Sequence, residues 1–427
     1  MSNRTNAAVT GLYVCYWSLQ DPLCQTQSLA YLRELTARGH RFALMTFEQQ
    51  KYAITPSQSS AMKRELASEG IYWYPLNYHK RFLLLSKACD FVCGVGKGLW
   101  IVARHRPQVV HSRASTAAAI ALTLSRLCRI KFLYDADSMI SEEYADTGHW
   151  SRGSWAFRTT AWLERQARRN AHSIVVLSER MRRDFIDELG DIVSIEAIPC
   201  CVDTTAFRYD PRAREVRRRE LGIDDEKLLV YAGKTGRRYL IDEMFEFFEV
   251  ARRRIGRARL MILSGDPPET FRSIAEGLGV DHREYFVRHA SRTEVGEWLS
   301  ASDAGLAFIR SESCERGSSP VKIGEYLAVG LPVVVTDGIG DYSDLIERER
   351  LGVVVKELTA GSYLESTDRL NSLWAEGNSL RERCRAVAEA NISIQLTGAE
   401  RYQAVYQELL GSASAITEPE HGLRVIR

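Results

Sequence analysis

The sequence predicts an α/β chain of two doubly wound domains, and three observations carry that prediction. Short apolar runs alternate with longer amphipathic ones almost from end to end, the pattern of parallel strands joined by crossover helices. The 427 residues exceed the ~250 to 300 at which a single hydrophobic core stops growing. The alternation is interrupted once, in IPCCVDTTAFRYDPRAREVRRRELG, where Pro199, Pro211 and a run of charges break the periodicity before it resumes.

In the first half the expected strands are Gly11 to Trp17, Arg41 to Thr46, Gly70 to Pro75, Gln108 to His111, Lys131 to Tyr134 and Ser173 to Leu177. Helical stretches separate them, which makes one Rossmann-like unit. The second half repeats the architecture with Lys227 to Ala232, Ala258 to Leu263, Tyr285 to Val287, Ala304 to Ile309, Pro332 to Val335 and Gly352 to Val355. The boundary is expected near 203 to 210, with a cleft opening there. This divides the chain into residues 1–203, 204–390, a helix over 391–412 that crosses back to the first domain, and a frayed polar tail over 413–427.

Composition narrows the function. With 57 basic against 55 acidic side chains the formal charge is only +2, which does not suit a nucleic-acid binder acting through its whole-molecule field. Nine cysteines lack metal-like spacing, and their odd number argues against a disulfide framework and for a reducing, cytoplasmic compartment. No window approaches ~18 uncharged apolar residues and the N-terminus lacks a cleavable leader pattern, so a soluble or peripheral protein is expected.

The most informative stretch is SSPVKIGEYLAVGLPVVVTDGIGD. Ser318 or Ser319 suits an N-cap, and Pro320 suits the first helical turn, where its missing N–H costs nothing. The free N–H groups and positive dipole end of such a helix form an anion site, to which Lys322 adds a full charge. Glu325 lies three residues on, where a carboxylate can accept hydrogen bonds from a vicinal diol such as a ribose. The bland alternative is a surface Lys322–Glu325 pair worth ~0.2 to 0.5 kcal/mol.

With Gly330 closing the helix and glycines 338 and 340 following the next strand, the stretch resembles the retaining, nucleotide-sugar-dependent glycosyltransferases of family four. YWSLQDPLCQTQSLAYLRELTARGHRFALMTFE, PQVVHSRASTAAAIAL, YDADSMISEEYADTGHW, LLVYAGKTGRRYLIDEMFEFF and RTEVGEWLSASDAGLAFI occur in the order and spacing of that family. The resemblance covers nearly the whole chain. It implies the GT-B fold, two Rossmann-like domains facing across a cleft with the donor held mainly by the C-terminal one. No cofactor is implied beyond the nucleotide-diphosphate sugar itself.

By the same resemblance Glu325 meets the ribose, while Lys322 and the backbone at Ser318 and Ser319 meet the diphosphate. Basic side chains after Gly233 join them, the candidates being Lys234, Arg237 and Arg238, with Lys322, Arg238 and His111 as the catalytic set. Two departures stand out. The family's usual Arg and Lys after the glycine are Lys234 and Tyr239 here, so Arg237 or Arg238 takes the second role. The first of the family's two glutamates is Gly317, with Glu312 and Glu315 as nearby substitutes.

On the acceptor side His111 ends a parallel strand, where doubly wound sheets bind ligands. Asp135 and Glu143 match family positions, whereas Asp137 replaces an arginine. Gln25, in the loop before the first helix, is expected over the diphosphate or the sugar. Asp135-Ala136-Asp137 has the DxD shape of a different, metal-using fold. Its place in a two-domain chain argues instead for donor binding without a metal.

Retention without an evident nucleophile implies front-face attack by an acceptor hydroxyl, with domain closure excluding water. The partners expected are a nucleotide sugar and a glycan or lipid-linked glycan, with no nucleic acid; the segments Tyr78 to Arg106 and Ser151 to Arg169 either rest on an anionic membrane or pack their apolar stripes on the sheet with Lys and Arg facing water. A biosynthetic role in a polysaccharide or glycoconjugate follows. A nucleotide-sugar epimerase or hydrolase and a non-catalytic sugar-nucleotide binder remain open. An NAD-dependent oxidoreductase does not fit, since no GxGxxG follows the first strand.

Overall fold

A computed structural model of the chain describes residues 8–79, 83–190, 192–311 and 317–411. They divide into two compact units: Pro199 closes the first stretch of unit 1, Cys200 opens unit 2, and the chain returns to unit 1 at Gly398.

Unit 1 holds a seven-stranded sheet in the order β3-β2-β1-β4-β5-β6-β7, every neighbouring pair parallel. Its strands are β1 Gly11–Cys15, β2 Phe42–Glu48, β3 Ile71–Asn77, β4 Val109–Arg113, β5 Lys131–Ala136, β6 Ser173–Val176 and β7 Ser194–Ala197. Six fall where the apolar runs predict them. The seventh was missed because it is a four-residue edge strand in which only Ile195 and Ala197 turn fully inward, too short for its alternation to register.

Unit 2 holds six parallel strands in the order β10-β9-β8-β11-β12-β13. These are β8 Lys227–Ala232, β9 Ala258–Leu263, β10 Tyr285–Arg288, β11 Ala304–Ala307, β12 Val333–Thr336 and β13 Gly352–Val355. Helices cover both faces, so inner strands such as β12, VVVT, are buried at every residue and read as unbroken apolar runs. In each sheet the winding reverses once, between β1 and β4 and between β8 and β11, and loops leaving the carboxyl ends at such a reversal part to leave a crevice.

Two boundaries differ from expectation. The division falls at Pro199/Cys200 because residues 200–202 are stitched to unit 2: the Cys200 N–H donates to Ser319 Oγ at 3.0 Å, and Val202 bridges Ser393 as a parallel pair. That same bridge breaks the helix expected from 391. One helix, Asn378–Ile392, stops at extended Ser393; a wide turn follows, and a second helix, Ala399–Leu410, packs in unit 1. Residues 412–427, including the expected tail, lie outside the described residues.

Candidate active site

In unit 2 the reversal of winding places two segments together: the loop that leaves β8 at Gly233, and the helix Val321–Val329. The loop is held by its backbone. Gly233 N–H donates to the Leu263 carbonyl at 2.9 Å, and Thr235 donates through N–H and Oγ1 to Asp266 at 2.5 and 2.9 Å. Arg310 donates to the carbonyls of Arg238 and Arg237 at 3.0 and 2.7 Å. Lys234 and Arg237 consequently point into solvent, and Arg238 is partly covered.

The helix starts one residue later than expected. Pro320 occupies the N-cap position, and no side chain caps the first turn. Neither serine does so, because the Ser319 hydroxyl accepts the Cys200 N–H, while buried Ser318 Oγ has no hydrogen-bond partner. The positive end of the dipole is thus left without a side-chain acceptor. Tyr326 fixes the helix to the sheet by accepting the Ala232 N–H at 2.7 Å. Gly340, at φ +47, allows the turn after β12 to lie against the Ser318 carbonyl, where a Cβ would collide.

Lys322 projects from that first turn. It is 8 % exposed, and among the described residues its Nζ has no hydrogen-bond partner. Two aromatic faces flank it instead, with the Tyr231 and Tyr239 ring centroids 4.1 and 4.2 Å from Nζ. A Cβ at Gly233 would strike Nζ, so only glycine permits this approach of loop to ammonium. Burial, reinforced by Arg238, lowers the Lys322 pKa to about 7, against a smaller upward pull from Glu325. Burial raises partly exposed Glu325 to about 7, with Arg292 and Lys322 pulling it down.

The structure therefore brings Gly233, Arg238, Ser318, Ser319, Lys322 and Glu325 into one region, and leaves Lys234 and Arg237 at its solvent side. Gly317 is described, but Glu312 and Glu315 lie outside the described residues. Tyr231 and the clamping role of Tyr239 were missed; the signal available was the aromatic residue on either side of the glycine loop, YAGKTGRRY.

Unit 1 collects a second set of polar groups. Cross-strand register puts Arg113 on β4 opposite Asp135 on β5, and Arg113 Nη1 meets Asp135 Oδ2 at 2.6 Å. Tyr402 OH donates to the same oxygen at 2.7 Å, and His111 Nδ1 lies 2.9 Å from Tyr406 OH. Both tyrosines belong to the helix Ala399–Leu410. His111 is 2 % exposed and Asp135 is fully buried. Burial pushes the Asp135 carboxyl up, but Arg113, His111 and Tyr402 outweigh it and hold its pKa below the ordinary value. Burial lowers His111, keeping it neutral near pH 7.

Asp137 and Glu143 lie near this cluster. Asp137 Oδ1 is unpartnered, and burial raises its pKa to about 7, with Arg113 opposing and Asp135 and Glu143 adding to the shift. Glu143 sits partly exposed on the short helix Ile140–Asp146. Gln25 donates from Nε2 to the Leu19 carbonyl at 2.7 Å and so fastens the loop after β1. Among the described residues, no three His, Cys, Asp or Glu side chains are grouped to hold a metal ion.

Two family models match in tandem: "Glycosyl transferase 4-like domain" over residues 24–201 and "Glycosyl transferases group 1" over residues 226–372. The chain belongs to the GT-B glycosyltransferases of family four. A "GDP-mannose-dependent alpha-(1-6)-phosphatidylinositol monomannoside mannosyltransferase" of Mycobacterium tuberculosis is 27% identical over 218 residues, which are 50% of this chain and 54% of that protein. The chain's match thus spans about half the length of this curated relative. Among solved structures, sucrose-phosphate synthase from Thermosynechococcus elongatus superposes with a TM-score of 0.71 at 15% identity, over 95% of this chain and 100% of that one. A putative UDP-N-acetylglucosamine 2-epimerase from Listeria monocytogenes does so at 0.59 and 12%, over 98% and 100%. Such identities show a shared fold and not a shared activity.

Proposed function

We propose that this family-four glycosyltransferase moves a sugar from a nucleotide-diphosphate sugar to an acceptor hydroxyl, with retention of configuration and without a metal. The observation that carries the reading is Lys322, a buried ammonium with three donors and no acceptor, set at an uncapped helix start against a glycine loop. A buried charge without hydrogen bonds is costly, and a diphosphate supplies both the opposite charge and the missing acceptors. Glu325, in the next turn, is placed for the ribose hydroxyls.

As the bond from the sugar C1 to the phosphate oxygen breaks, negative charge grows on the departing diphosphate. Lys322, Arg238 and the helix start stabilise that charge more than they stabilise the intact donor. The acceptor oxygen bonds to C1 from the same face, and its proton passes to the leaving phosphate. No side-chain nucleophile is needed. The mycobacterial relatives make GDP-mannose the first donor and a lipid-linked mannoside the first acceptor to try.

A lipid-linked acceptor accords with one face of unit 1. The helices Leu83–His105 and Trp155–Asn170 both pack against the helix Ser115–Cys128. The first exposes Phe91, Val92, Leu99 and Trp100, the second Trp155 and Trp162. Each has a single acidic residue, and both are buried: Asp90 bonds Tyr16 and His79, and Glu164 bonds Ser115 and Ser141. Exposed Arg104, Arg158, Arg165 and Arg169 thus share their faces with tryptophans and no carboxylate, which suits peripheral contact with an anionic membrane at the cytoplasmic side. None of the described helices is long and apolar enough to cross a membrane.

Calorimetry with UDP-, GDP-, ADP- and dTDP-sugars, followed by product release with and without acceptor, tests the reading. Transfer that requires acceptor and is lost in Glu325→Ala supports it. Donor consumption without acceptor would mark an epimerase or hydrolase, and binding without turnover a non-catalytic binder. Co-sedimentation with phosphatidylglycerol vesicles at low salt tests the membrane contact, which fails if pure phosphatidylcholine vesicles capture as much protein.

A further inference from the structure

Lys322 and Glu325 stand three residues apart on one helix, a spacing at which lysine and glutamate ordinarily meet. They do not pair here, since among the described residues Lys322 Nζ has no hydrogen-bond acceptor. Its position is set from the other side, between the Tyr231 and Tyr239 rings at 4.1 and 4.2 Å. Those two rings lie 6.3 Å apart at 75° to each other, so the ammonium has a π face on two sides.

Both rings are themselves fixed. Tyr231 is buried on β8 and its hydroxyl donates to the Lys234 carbonyl at 2.6 Å. Tyr239 forms an antiparallel bridge with Ile309, and its N–H donates to the Gly236 carbonyl at 3.0 Å. The clamp is thus part of the sheet and its loop, whereas Lys322 and Glu325 belong to the helix.

We infer that Tyr231 and Tyr239 are positioning residues that hold the Lys322 ammonium away from Glu325, so that each charge stays available to a different part of one ligand. The inference rests on the diphosphate reading of this site. Tyr239 stands where the family resemblance implies a second cation, and its ring faces the remaining lysine instead of adding another. An aromatic face attracts a cation without supplying the acceptor that would satisfy its N–H groups, so the clamp orients Lys322 without competing for its donors. The lowered Lys322 pKa is in keeping with this, because π faces offset only part of the cost of burial.

The test uses the full-length chain and inorganic pyrophosphate, which has no ribose and so reports on the cation alone. Calorimetry should show Tyr239→Leu weakening pyrophosphate binding about five- to thirtyfold, the range of a partly desolvated cation–π contact. Tyr239→Phe should stay within about twofold, since the ring is kept. Adding Glu325→Gln to Tyr239→Leu should restore most of the loss, because the released lysine then has no carboxylate to pair with. A merely structural role for Tyr239 would not be rescued in this way. Equal binding by wild type and Tyr239→Leu, a Tyr239→Phe as weak as Tyr239→Leu, or no rescue by Glu325→Gln would each overturn the clamp. Wild type that binds neither pyrophosphate nor any nucleoside diphosphate would instead overturn the site reading beneath it.

Discussion

Arg113 in unit 1 and Lys322 in unit 2 are both buried cations, and their surroundings differ in kind. Arg113 in unit 1 lies opposite a carboxylate on the neighbouring strand, and Asp135 is shared with a tyrosine hydroxyl from the returning helix. Lys322 in unit 2 has two aromatic faces, a helix start and no acceptor. The Arg113–Asp135 pair has its countercharge in place, although Asp135 Oδ1 and His111 Nε2 lack hydrogen-bond partners among the described residues, and removing one member leaves an uncompensated charge. A buried cation without an acceptor costs stability in the empty protein and recovers it when an anion arrives. The difference is one of countercharge: in the knot around Asp135 the arginine has its carboxylate, whereas Lys322 has none among the described residues, and residue type alone would not have told the two apart.

The largest effect expected from this contrast is on the unit 1 side. Asp135→Ala should lower unfolding free energy by about 3 to 5 kcal/mol, read from the denaturant midpoint, because Arg113 is left unpaired. A loss below about 1 kcal/mol would mean that the pair adds little and would dissolve the contrast.

Next comes Lys322→Met, for which the two properties should part company. Donor or nucleoside diphosphate affinity should fall about a hundredfold, while the protein should be no less stable than wild type, having lost a charge that nothing compensates. Loss of stability together with retained binding would reverse the assignment.

The pH dependence is smaller and has a defined sign. Lys322 titrates near 7 when folded and near 10.5 when not, so between those values the unfolded state holds more protons and this group's contribution to stability rises with pH. Glu325 and Asp137, raised to about 7 from 4.5 and 3.8, act the other way: the folded state holds more protons, and stability falls as pH climbs from about 4 to 7. The three groups together predict a minimum near neutrality. Lys322→Met should remove its rising alkaline limb, and diphosphate affinity should decline above pH 7 by up to about tenfold per unit. Asp135, with its pKa held below 3.8, contributes stability above its unfolded value that is lost in acid.

The smallest effect sharpens the knot itself. Tyr402→Phe removes one hydrogen bond to Asp135 and should cost about 1 to 2 kcal/mol, without altering nucleotide binding by calorimetry. A change in nucleotide affinity would place the returning helix in the binding machinery.

By itself the sequence determined the elements whose physics is local. Parallel strands buried on both faces must be apolar throughout, so twelve expected strands could be read as runs such as LLVYA and PVVV; β7 could not, as a four-residue edge segment with two inward side chains. A helix start within a residue of Pro320, the glycine loop and the Lys322–Glu325 spacing were legible for the same reason. Tertiary structure decided what each charge faces. The nearness of Tyr231 and Tyr239 to Lys322 joins residues some eighty positions apart, and the covering of His111 and Asp135 by Tyr406 and Tyr402 joins residues nearly three hundred apart. Periodicity reports whether a side chain turns inward, but the partner it meets there depends on which strands and helices lie side by side, and that is fixed only by the packed chain.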